Sequence, residues 1–229
     1  MVLILENLNV EAHEEFYKAS ICKTESNENF FKSYFNSTDD YICSLIETRE
    51  FVSQGTTGLK TWPAAEFLLQ TLKNEDIEAK EILELGSGIG YLSISLLKFN
   101  NISKITVSDH HESVLEALKD NFKANEISGD RYEVKSIDWE NHEASGLDYG
   151  LIIGSDIVFD SRIIPGLVKT LKLYLKKESK AIIANVLRSD ETKEAFENCL
   201  RENDLKCDLQ ISKYNNHDML LYQITRKLT

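Results

Sequence analysis

The run Glu84-Leu85-Gly86-Ser87-Gly88-Ile89-Gly90 sets three glycines at alternate positions behind a short apolar stretch. Glycines so spaced let the backbone turn sharply and let a ligand lie close against it. A dinucleotide site needs glycine at the sixth position of GxGxxG. Tyr91 stands there, and the third glycine comes one place early, at Gly90. The GxGxG form suits a cofactor with no pyrophosphate. S-adenosylmethionine meets that condition, its amino-acid moiety lying over the glycine backbone. The cofactor set in this loop is Glu84, Gly86, Ser87, Gly88 and Gly90.

Three further groups follow at telling distances. Asp109 lies 23 residues after Gly86, at the end of the next expected strand. A carboxylate there accepts hydrogen bonds from both ribose hydroxyls. The plain alternative is a helix N-terminal carboxylate, because a helix is expected near His111. Asp138-Trp139 follows the third strand of the series, with the indole to flank an adenine face. Asp138 would accept from the adenine amino group. The alternative for Trp139 is a core tryptophan. Ser155-Asp156 follows the fourth strand, which would face a transferable methyl. Asp156 is then the carboxylate placed to meet a nucleophile, with a helix or turn cap as the alternative. His110 and His111 are adjacent and would point two ways on a helix, so no metal site is expected.

These residues need elements to hold them. Pro63 suits a first helical turn, and Ala64, Ala65, Leu68, Leu69 and Leu72 follow at helical spacing. Strands are expected at 81–85, 104–108, 132–134, 151–153 and 181–186. Helices are expected through Leu92–Leu97, Val114–Phe122 and Leu167–Leu175, the last opened by Pro165. A further helix through Ala195–Leu200 is expected to be capped by Asp190. Strands near 207–211 and 219–224 have no helix between them and should pair as a hairpin. Strand–helix alternation implies a parallel sheet covered on both faces. The expected fold is α/β: a Rossmann-like, seven-stranded, mostly parallel sheet with a C-terminal antiparallel hairpin. Residues 1–55, acidic with scattered aromatics, read as an N-terminal extension of helices and loops. Residues 56–229 read as the cofactor-binding domain.

Four motifs in order carry a resemblance. They are Gly58-Leu59-Lys60-Thr61-Trp62-Pro63-Ala64-Ala65, Glu84 to Gly90, Ile137-Asp138-Trp139 and Ser155-Asp156-Ile157-Val158-Phe159. Together they resemble the seven-β-strand protein lysine methyltransferases, over about residues 50–229. The stretch Val52 to Trp62 is most similar to the eukaryotic elongation factor 2 lysine methyltransferase branch. The resemblance implies S-adenosylmethionine contacts at Trp62, Gly86, Ser87, Gly88, Asp109, Trp139 and Ser155. It also implies that Asp156 opens a DxxY motif. The chain departs there, because Phe159 stands at the fourth position and brings no hydroxyl. The N-terminal extension is also shorter than is usual in that branch.

Composition narrows the function classes. The formal net charge of −12 repels phosphate, so neither nucleic acid nor an anionic membrane is expected as a partner. A protein with a basic face is. No apolar run approaches the ~20 residues of a membrane span. Cys22, Cys43, Cys199 and Cys207 form no CxxC pair and read as reduced thiols of a cytoplasmic protein. A monomer is expected. The reading is a protein-lysine N-methyltransferase acting on a protein substrate, with elongation factor 2 as the candidate. Two alternatives remain: a methyltransferase for a small molecule or nucleobase, and a cofactor-binding module without activity. The segment after the fourth strand lacks the Pro-Pro-Tyr seen in amino-methylating enzymes for adenine or glutamine, which disfavours the nucleobase.

Overall fold

Apolar runs too short for helices become the buried strands of one sheet. The computed structural model describes residues 29–36, 40–50, 52–73, 77, 81–99, 102–141 and 149–227. In chain order the elements are β1 (Asn29–Phe35), β2 (Tyr41–Thr48), α1 (Pro63–Leu72), β3 (Ile82–Leu85), α2 (Tyr91–Phe99), β4 (Ile105–Asp109) and α3 (Glu112–Ala124). There follow β5 (Tyr132–Ser136), β6 (Leu151–Ser155), α4 (Ile164–Tyr174), β7 (Lys180–Val186), α5 (Asp190–Glu202), β8 (Leu205–Tyr214) and β9 (His217–Arg226). Seven strands form the main sheet in the order β5-β4-β3-β6-β7-β9-β8. Pairing is parallel from β5 to β7; β9 runs antiparallel to both β7 and β8.

Successive strand residues feed opposite faces, the period-2 rule of a pleated strand. Ile82, Ile153 and Ile182 enter one buried cluster with α1, α2 and α3. Leu83, Ile152 and Ile183 enter the other with α4 and α5. Strands buried on both sides are near-continuous apolar runs for this reason. The helices follow their expected faces, with Pro63 in the first turn of α1. One cap differs: Ser189, not Asp190, caps α5, its hydroxyl accepting from Thr192 N–H at 3.4 Å. Asp190 lies in the first turn, where its charge still suits the helix dipole.

The described part of the N-terminal extension also differs from expectation. Asn29–Phe35 and Tyr41–Thr48 pair antiparallel, β1 with β2, where helices and loops were expected. Ile42, Cys43 and Leu45 bury into the cluster shared with α1–α3. The outer edge of β2 is closed by one side chain of α3 and one from the residue that ends it. Asn121 accepts from Ile46 N–H (2.8 Å) and donates to Ile46 C=O (3.3 Å). Asn125 accepts from Ser44 N–H (3.2 Å) and donates to Ser44 C=O (2.8 Å). Each amide thus stands in for a strand neighbour and blunts an edge that would otherwise pair with another chain. Residues 1–28, with His13 and Cys22, lie outside the described residues, as does His142.

Candidate functional site

The strand order turns back between β3 and β6, and in open α/β sheets the crevice for a ligand lies at that point, outside the carboxyl ends of the strands. A cavity of about 430 Å³ lies there, a size suited to a small-molecule ligand. Its base is the loop Gly86–Gly88. Asp109 and His110 from the end of β4, Asp138 and Trp139 after β5, and Ser155 and Asp156 at the end of β6 line its sides. The loop before α1 closes it with Thr56, Thr57, Gly58, Lys60, Thr61 and Trp62.

Local chemistry fixes each wall. Gly88 has φ +52°, and a Cβ on it would come within 3.0 Å of the Gly58 carbonyl oxygen. Only glycine lets the two loops meet there. Asp109 clamps the same loop: one carboxylate oxygen accepts from Gly88 N–H (3.2 Å), the other from His110 N–H (2.8 Å) and His111 N–H (3.2 Å). Burial pushes its carboxyl up, while these N–H donors pull it back toward the charged form. Glu84 is 1% exposed, yet it reaches the cavity wall. It accepts from the Ser93 hydroxyl, and burial pushes its carboxyl up to about 7. Trp62 is held by its indole N–H, which donates to Thr57 C=O at 3.0 Å. The Lys60 ammonium lies 5.6 Å and the Arg188 guanidinium 4.9 Å from its ring centroid.

Ten of the eleven expected residues line the cavity: Trp62, Glu84, Gly86, Ser87, Gly88, Asp109, Asp138, Trp139, Ser155 and Asp156. Gly90 does not. A Cβ on it would lie 2.6 Å from Leu118 Cδ1 and 3.2 Å from Phe122, so this glycine lets α3 pack close, at φ +92°. One other has a duty the sequence did not suggest. Asp138 turns its oxygens to Glu140 N–H (3.0 Å) and the Asn141 amide (2.9 Å), holding a tight turn. That hydrogen bonding keeps its carboxyl below the usual range.

Asp156 sits at φ +53°, uncommon for a residue with a side chain. Its oxygens accept from Val186 N–H (2.9 Å), at the carboxyl end of β7, and Ala64 N–H (3.2 Å), in the first turn of α1. Its own N–H donates to Ala184 C=O at 2.8 Å. The carboxylate thereby caps α1 from outside and ties it to β6 and β7. It still faces the cavity. Phe159, 49% exposed, forms part of the rim.

Sequence reasoning missed Arg188 and Glu47. Arg188 follows β7, whose carboxyl end lies on the same sheet edge, and the strand-end rule would have found it. Glu47, 3% exposed, accepts from the Tyr34 and Thr61 hydroxyls, tying the hairpin to the cavity loop. A glutamate within an apolar strand gave no such sign.

Residues 44–202 match the lysine methyltransferase family. The chain belongs to that family. Among lysine methyltransferases, the protein-lysine N-methyltransferase EFM3 of Chaetomium thermophilum is 35% identical over 67% of this chain and 50% of its own length. The human protein-lysine N-methyltransferase EEF2KMT is 27% identical over 83% of this chain and 64% of its own. The chain thus spans one half to two thirds of the length of these relatives. The calmodulin-lysine N-methyltransferase of Arabidopsis thaliana is 28% identical over 76% of this chain and 60% of its own. Among solved structures, the glycopeptide N-methyltransferase MtfA bound to S-adenosylmethionine aligns with a TM-score of 0.58 at 14% identity. That alignment covers 72% of this chain and 94% of MtfA. The likeness shows the fold. S-adenosylmethionine is the cofactor this family uses, and the donor set suits it. A buried carboxylate stands beside a glycine backbone, a second carboxylate ends β4, and an indole lies beyond.

Proposed function

We propose that this chain is a protein-lysine N-methyltransferase, and that its substrate is eukaryotic elongation factor 2. What carries the reading is the cavity at the carboxyl edge of β3–β6, in a chain of the lysine methyltransferase family whose relatives include EEF2KMT. When bound, S-adenosylmethionine supplies an electrophilic methyl. Glu84 and the Gly86–Gly88 backbone hold its amino-acid end, Asp109 its ribose, and Trp139 its adenine. Trp62 and Ser155 border its methyl-bearing end, where Asp156 and Phe159 receive the lysine.

A free lysine has a pKa of ~10.4, so about one in a thousand is neutral at neutral pH. Apolar walls around the side chain favour the neutral amine by desolvation. Asp156 works against that, since a carboxylate favours ammonium; its part is to align the nitrogen rather than to act as a strong base. Alignment of reacting atoms supplies up to ~7–11 kcal/mol. The protein works in the cytoplasm as a monomer, and its acidic surface draws a basic protein face rather than nucleic acid or membrane.

The test offers purified elongation factor 2, with calmodulin as comparison, and methyl-labelled S-adenosylmethionine. Label should enter elongation factor 2, with a Michaelis constant that rises with salt. Label entering calmodulin alone would overturn the substrate assignment.

A further inference from the structure

Arg188 is half-exposed, and its partner is a buried group: a guanidinium nitrogen lies 3.6 Å from Asp156 Oδ1, whose side chain is 3% exposed. The same guanidinium covers the Trp62 ring at 4.9 Å. Trp62 and Asp156 both line the cavity, and Arg188 borders a smaller pocket that shares Phe159 with it. The cation therefore sits behind the carboxylate at the end proposed to receive lysine.

We infer that Arg188 is a positioning residue that offsets the charge of Asp156, so that the acceptor lysine is held as the neutral amine. The inference rests on the lysine methyltransferase reading and deepens it. Only the neutral amine attacks: its lone pair forms the N–C bond while the C–S electron pair passes to sulfur. The proton shed beforehand goes to solvent. A lone carboxylate beside the amine holds that proton; a guanidinium paired with the carboxylate releases it.

Other charges face this corner from each element around it. Lys60 comes from the loop before α1 and Glu84 from β3. Asp160 and Arg162, in the loop after β6, are bonded to each other and line neither pocket. Lys193 comes from α5, paired with Glu197 at 3.0 Å. Among these described groups, Arg188 has the ion-pair contact with Asp156. One charge removed from a half-screened site a few ångströms away moves a neighbouring titration by about one pH unit.

The test is single-turnover transfer to saturating elongation factor 2 across pH 6–10, for the parent, Arg188→Gln and Arg188→Lys. Arg188→Gln should move the rising limb of the rate up by about one pH unit, with rates converging on the parent at high pH. Arg188→Lys should keep the parental limb. A limb that stays put in Arg188→Gln, whether the rate falls uniformly or not at all, overturns the inference and leaves Arg188 as a structural contact of Trp62. A parent that methylates no lysine overturns the underlying reading instead.

Discussion

Asp156 carries two duties in one carboxylate, and substitution separates them. Asparagine tolerates its left-handed backbone but has one acceptor oxygen for two N–H donors, Ala64 and Val186. Asp156→Asn should cost about 1–3 kcal/mol of stability through the unpaired donor. Methyl transfer should fall about a hundredfold through lost alignment. Calorimetric affinity for S-adenosylmethionine should change by no more than a few fold, because the contacts assigned to the cofactor lie elsewhere. Parental transfer rates in a destabilised variant would leave Asp156 as a clamp alone. Glu84 makes a pH prediction. Its carboxyl, buried and raised to about 7, is better accommodated neutral in the fold, whereas an unfolded glutamate ionises near 4.3. The contribution of Glu84 to stability is therefore fullest below about pH 4.5 and is lost as pH rises toward 7, with a plateau above. Glu84→Gln removes this dependence, worth about 3 kcal/mol across that window. Denaturant unfolding at pH 5 and pH 8 checks it: the parent should lose ground to the variant, and parallel curves would contradict the charge assignment.

The core elements were legible because each carries its own period: Ile82–Leu85 and Leu151–Ile153 as buried runs, Val114–Phe122 as a helical stripe. Site residues at strand ends were legible by the same rule, since a parallel sheet gathers every carboxyl end on one edge. What escaped was tertiary. The β1–β2 hairpin has one partner in sequence, but its other edge is completed by amides from a helix about 75–81 residues away, which no local pattern reports. Gly90 matched a cofactor motif by spacing, while its need for glycine comes from Leu118 across the packing. The hairpin's dependence on α3 is testable. Asn121→Ala leaves the half-buried Ile46 N–H and C=O without their side-chain partner, at a cost of about 1–3 kcal/mol. Hydrogen exchange at Ile46 should speed up more than at Val107 in β4. Unchanged protection at Ile46 would show that the edge is closed some other way.

At the scale of the molecule, the sheet edge, the N-terminal hairpin and the loop before α1 act as one frame. Glu47 of the hairpin holds Thr61, Thr61 neighbours Trp62, and Trp62 meets Arg188 beyond β7. A frame fixed from both ends of the fold suits a reaction whose rate depends on alignment. The central claim is that the group methylated is a lysine side chain of a protein. The most direct measurement supplies methyl-labelled S-adenosylmethionine to a lysate from cells lacking this protein, adds the purified chain, and hydrolyses the product to free amino acids. Label should vanish from the macromolecular fraction on protease treatment, persist through nuclease, and appear as methyllysine. Label in nucleic acid, in a small metabolite, or in an amino acid other than lysine would contradict the account.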